Sequence, residues 1–171
     1  MDGTLAVIFI IASLSDMGFN ECATGCIAEK PATSRVSLQA GQVIFQEDRI
    51  GEEAYIGYDM PRRYGPWQPT FGGSITSDND LWVGAGAKWT TRGISEGPFF
   101  VEASLMPGLY AAGDGPDIGG SLQFRSALGA GFTFDNGGTL SVMYDHRSNA
   151  DTQDLNPGLE TLSIRYAFSL N

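Results

Sequence analysis

One histidine, two cysteines and ten basic residues against twenty acidic ones set the first limits on this 171-residue chain. The formal net charge of −10 works against nucleic acid, whose phosphates would be repelled. It gives no general attraction to anionic membrane surfaces either, so any contact with lipid must be apolar or local. Cys22 and Cys26 lack the second pair of ligands that a zinc site needs. In an exported protein they would close a small disulfide loop. Gly84-Ala85-Gly86 sits inside a strand pattern and precedes no helix, which removes a nucleotide-binding loop. No metal and no cofactor are expected. Charged residues make up only 18% of the chain, and no long helical pattern follows residue 30.

What remains is glycine (23 residues), aromatics (11%) and repeated alternation of polar and apolar positions, an all-β signature. Residues 4–14 form one apolar run of signal-peptide length, too short to span a bilayer as a helix. Its flanks are irregular, with Asp2 and no basic residue before it. Residues 1–33 are therefore expected to be an export signal and N-terminal segment, with a retained interfacial helix as the alternative. Residues 34–171 are expected to form the folded domain.

Eight strands are predicted, at 34–48, 52–61, 65–76, 80–91, 97–107, 120–134, 138–149 and 159–170. Several approach the ~9–11 residues that cross a bilayer when tilted. Parity within them is informative. Leu162, Ile164, Tyr166, Phe168 and Leu170 share one face of the last strand; Ser163, Arg165 and Ala167 share the other. Leu140, Val142 and Tyr144 oppose Ser141, Met143 and Asp145, and Ala54, Ile56 and Tyr58 oppose Glu53, Gly57 and Asp59. The polar face carries charges of both signs, which suits a narrow lumen filled by a hydrogen-bonded network, with the apolar face toward lipid. A soluble ligand-binding barrel would reverse this arrangement. The expected fold is an eight-stranded antiparallel up-and-down transmembrane β-barrel. Trp67, Phe71, Trp82, Trp89, Phe99, Phe134, Tyr144 and Tyr166 are expected near strand ends as interfacial girdles. Asp135-Asn136-Gly137-Gly138 reads as a tight hairpin turn, and the longer links 108–119 and 150–158 read as loops on the cell exterior.

One cluster breaks the apolar parity. His146 and Ser148, two apart, share a face of the seventh strand, and Glu160 opens the eighth on the same parity. A polar group facing lipid is costly unless paired. These three residue types are the parts of an activated serine nucleophile. Ser148 would attack an acyl carbonyl, His146 would take its proton, and Glu160 would orient the imidazole. The backbone amide of Asn149 or the side chain of Asn156 would donate to the oxyanion. The competing reading is a polar rim where side chains meet lipid head groups.

At these positions the chain resembles the lipid A 3-O-deacylases of the outer membrane. The resemblance rests on His146-x-Ser148-Asn149-Ala150, on Asn156-Pro157-Gly158-x-Glu160 and on Ser163-x-Arg165-Tyr166. It implies an eight-stranded outer-membrane barrel with an outward-facing Ser-His-Glu triad of Ser148, His146 and Glu160. It implies hydrolysis of the 3-position ester of lipid A, release of a hydroxy fatty acid, and no metal. Asn149 and Asn156 match positions linked to oxyanion stabilisation. The implied partners are lipid A or lipopolysaccharide as substrate, the membrane, and a possible second copy in a homodimer. A non-enzymatic barrel with a structural or adhesive role is the rival.

Overall fold

The computed structural model describes residues 3–94 and 97–170. A helix α1 (Thr4–Asp16) leads through a π-helical turn (Met17–Glu21) and a 3-10 turn (Cys22–Thr24) into ten strands. These are β1 (Glu29–Pro31), β2 (Ser34–Phe45), β3 (Asp48–Asp59), β4 (Arg62–Tyr64), β5 (Gln68–Thr76), β6 (Leu81–Thr90), β7 (Phe99–Ala111), β8 (Leu122–Thr133), β9 (Thr139–Ser148) and β10 (Leu159–Leu170). Eight of them close an antiparallel barrel in the order β10-β2-β3-β5-β6-β7-β8-β9, as the alternation predicts. Closure comes from β10 against β2, in register from Glu160↔Ile44 to Leu170↔Ser34. Among the described residues no barrel strand is left with an unpaired edge.

The two small strands were not expected. β1 and β4 form a separate ladder outside the barrel. Beside it, Cys22 and Cys26 form a disulfide. Buried Glu21 pairs with both Lys30 and Arg63. β7 also runs further than predicted, through Pro107 and Gly108 to Ala111, so the loop that follows it begins at 112.

Pleat and charge together decide which face is inside. Ile164, Val142, Ile56, Val83 and Leu109 point outward and are exposed, a continuous apolar wall of the kind that meets lipid. The odd positions of β3, β8, β9 and β10 fill the lumen with charge. Arg125 Nη2 reaches Glu53 Oε1 at 2.7 Å and its Nε reaches Asp145 Oδ1 at 3.1 Å. Arg147 also pairs with Glu53, Lys88 with Asp59, and Arg165 Nη1 with Glu102 Oε1 at 3.0 Å. Gln39 links two of these groups, donating to Asp145 Oδ2 at 2.8 Å and accepting from Arg165 Nε at 2.8 Å. Pairing of this density is what allows charges to leave water.

Trp82 corrects one sequence expectation. It lies in the lumen with no exposed surface, not in a girdle. The guanidinium of Arg125 lies over its ring at 5.5 Å, and Gly84 and Gly108 leave the space that its indole fills. Three of the expected girdle aromatics, Phe99, Phe134 and Tyr166, do cluster. Phe99, Phe132, Phe134, Tyr166 and Phe168 form a chain of ring contacts at the end of the barrel where β2 begins and β10 ends.

The N-terminal helix lies against the outside of the wall. It packs on β7 and β8 and buries Phe9 and Ser13, while Val7, Ile10, Ile11 and Leu14 stay exposed. At its far end Asp16 Oδ2 accepts from Trp89 Nε1 at 2.8 Å. The helical stretch Thr4–Thr24 runs 21 residues. By length and composition alone that is enough to cross a membrane, which the apolar run of residues 4–14 is not.

Arg125 is the hub of the lumen, at 2% exposure. Replacing it with Met removes both its ion pairs and leaves Glu53 and Asp145 under-compensated. The Arg125→Met barrel should lose about 3–5 kcal/mol, read as a lower urea midpoint of the heat-modifiable gel shift in detergent. A midpoint within error of the parent chain would show that the network adds no stability.

Candidate active site

β9 and β10 bring the cluster together by simple register. His146 lies directly opposite Glu160 on one side and Ser126 of β8 on the other. His146 Nδ1 is 3.0 Å from Glu160 Oε1. A carboxylate only accepts, so Nδ1 carries a proton, and in the neutral imidazole the lone pair is on Nε2. Nε2 is buried and has no hydrogen-bond partner among the described residues. Ser148 Oγ is therefore not yet bonded to it, although both residues line the same cleft of about 570 Å³.

His146 keeps the outward parity read from the sequence but is only 3% exposed. Part of the cover is Gly158, which has φ +75° and whose added Cβ would stand 2.7 Å from His146 Cε1. Both the backbone conformation and the space exclude a larger residue there. More cover comes from α1, because Gly3 and Ala6 line the cleft together with Leu105 and Phe124.

The two asparagines separate in role. Asn149 has the inward parity and no exposed surface, and it does not line the cleft. Its Nδ2 donates to the carbonyls of Gly119 at 2.8 Å and Leu155 at 2.7 Å, tying together the loops 112–121 and 149–158. Its backbone amide donates to Asn156 Oδ1 at 3.1 Å. Asn156 does line the cleft, and its Nδ2 donates to Asp151 Oδ1 at 2.7 Å. In this state both expected oxyanion donors are engaged with each other or with the loop.

Ser126 is a residue that the sequence reading passed over. It has the outward parity of β8, between Phe124 and Leu128, and it lines the cleft beside His146. The signal was present as a lone hydroxyl in an apolar row. Its cross-strand register to His146 was not readable without the fold. Among the described residues no group of His, Cys, Asp and Glu is placed to hold a metal ion.

The profile of the lipid A 3-O-deacylase (PagL) family matches residues 48–169, most of the barrel and all of the cluster. The chain belongs to the PagL family. It is 36% identical over 70 residues to the lipid A deacylase PagL of Pseudomonas aeruginosa, and 29% identical over 72 residues to that of Bordetella bronchiseptica. These segments span 39% and 41% of this chain and about two-fifths (40%) of each relative. The fold resembles the crystal structure of the outer membrane enzyme PagL, with TM-score 0.65 and 21% identity over 80% of this chain and 99% of that one. It also resembles Neisserial surface protein A, with TM-score 0.54 and 11% identity over 84% of this chain and 99% of that one. The PagL-family assignment and the apolar exterior make this an outer-membrane barrel.

Asn149 yields a test of the loop anchor. Asn149→Ala leaves the carbonyls of Gly119 and Leu155 without their donor, a cost of about 1–3 kcal/mol. Amides of 118–120 and 150–156 should exchange with deuterium at least about tenfold faster, while the β9–β10 ladder below residue 146 keeps its protection. Unchanged exchange in both loops would contradict the anchoring role.

Proposed function

We propose that this barrel is a serine esterase that removes the 3-position hydroxyacyl chain of lipid A in the outer leaflet. The observation that carries the reading is the buried His146–Glu160 contact on the lipid-facing wall, with Nε2 unpartnered and Ser148 in the same cleft. Family membership supports the substrate class.

The chemistry follows from which atoms are free. Ser148 Oγ attacks the ester carbonyl as its proton passes to His146 Nε2. Glu160 holds Nδ1–H and stabilises the imidazolium that forms. The imidazolium then gives its proton to the departing sugar oxygen, leaving an acyl group on Ser148. Water, activated by the same Nε2, releases the hydroxy fatty acid and restores the serine. Substrate entry brings Ser148 Oγ into reach of Nε2, a contact that tightens in many enzymes only on binding. The developing oxyanion takes the Asn149 amide or Asn156 Nδ2, and either donor must first leave its present partner.

Residues 1–33 serve export in this account. Processing that removes α1 takes Gly3 and Ala6 off the cleft and opens it laterally to the leaflet. N-terminal sequencing of the outer-membrane form should begin beyond residue 16; a form that still starts at residue 1 would refute this step.

The rival is a barrel without enzymatic activity, in which His146 and Glu160 are a paired polar rim. Mass spectrometry of lipid A from expressing cells separates the two. The parent chain should remove one hydroxyacyl group. Ser148→Ala should remove none, and Glu160→Gln should slow the reaction by about 10²–10⁴-fold through loss of imidazole orientation. Equal deacylation by Ser148→Ala would exclude Ser148 as nucleophile. Intact lipid A with a correctly folded parent barrel would favour the rival.

A further inference from the structure

The outward faces of β7 to β10 are apolar except around the cleft, and there the polar residues are four: Ser126, His146, Ser148 and Glu160. Three have roles in the reading above. Ser126 does not, yet it is only 3% exposed. Among the described residues its one hydrogen bond is long, Oγ donating to the carbonyl oxygen of His146 at 3.4 Å. Among the described residues no donor meets its lone pairs. A hydroxyl so weakly satisfied in an apolar cleft is costly unless something else uses it.

Register says what could use it. Ser126 lies level with His146, while Ser148 lies level with Phe124, so Ser126 is the diagonal neighbour of Ser148, about 7 Å away. Ser148 is also the nearer of the two to the end of the barrel with loops 112–121 and 149–158. An acyl chain whose carbonyl meets Ser148 from that side descends along the wall past Ser126 before it reaches Leu128 and Val142. Level with His146, Ser126 is the first polar group outside the reacting residues that it meets.

We propose that Ser126 is a specificity-determining residue that hydrogen-bonds a hydroxyl on the second carbon beyond the ester carbonyl of the scissile acyl chain. The inference rests on the esterase reading and names the feature of the chain that the site reads. A plain acyl chain leaves Ser126 facing methylene groups, and a β-hydroxyl gives it both a donor and an acceptor. Discrimination by a buried hydroxyl partner acts on the specificity constant, since the wrong chain leaves the protein group unpaired.

The test uses the processed outer-membrane form, purified in detergent, with two synthetic esters of one alcohol and equal chain length, one bearing the β-hydroxyl and one without it. The parent protein should prefer the hydroxylated ester in kcat/KM by about tenfold or more. In Ser126→Ala that ratio should fall toward one, and Ser126→Thr, which keeps a hydroxyl, should recover part of it. A ratio unchanged in Ser126→Ala, or a parent protein without preference, overturns the inference while a Ser148-dependent activity still stands. Equal loss on both esters also overturns it, because that is the mark of a residue that merely positions His146. A folded parent protein that cleaves neither ester removes the esterase reading itself.

Discussion

A closed barrel of eight strands has a lumen only as wide as its side chains, so whatever points inward must satisfy itself. Here that demand is met by charge. Arg125 between Glu53 and Asp145, with Arg147, Arg165 and Gln39 around them, fills the middle of the lumen beside the buried side chains of Tyr55, Trp82 and Met106. Because charges occupy the inside, the pleat sends the aliphatic and aromatic residues outward. The molecule is therefore built for a bilayer by the same alternation that packs its lumen. With the centre filled by side chains, chemistry on a lipid substrate belongs to the wall or the rims.

That constraint explains the form of the candidate site. A histidine, a serine and a glutamate on a lipid-facing wall would ordinarily be expensive. Glu160 reduces the cost by holding His146 Nδ1, and Gly158 and the anchored loop 149–158 cover the ring. The loop depends on Asn149, whose side chain is spent on carbonyls from two loops. Position in depth then matters as much as pairing. The cluster sits where the wall meets the rim, so a substrate whose ester lies near the interface and whose chains lie in hydrocarbon can meet it sideways without leaving the leaflet.

Much of this was legible from period-two alternation. The inward rows Glu53-Tyr55-Gly57-Asp59 and Asp145-Arg147 and the outward row His146-Ser148 read correctly because each strand keeps strict parity for several residues. Trp82 was misread because a tryptophan near a strand end looks like a girdle residue. Only the facing glycines and the guanidiniums above it show that the lumen has room for it. The loop-anchoring role of the Asn149 side chain was not legible, because its partners Gly119 and Leu155 come from two separate loops. Ser126 went unnoticed because contact between strands 20 residues apart is a matter of register, which turn lengths and bulges set. The N-terminal ladder of β1 and β4 is too short to show any alternation at all.

The most direct measurement is chemical labelling of the nucleophile. The barrel, folded in detergent, is treated with a long-chain alkyl fluorophosphonate, and the adduct is mapped by tandem mass spectrometry. A single adduct on Ser148, abolished in His146→Ala, is the result this account predicts. An adduct on Ser126, or labelling of Ser148 that persists without His146, would contradict it.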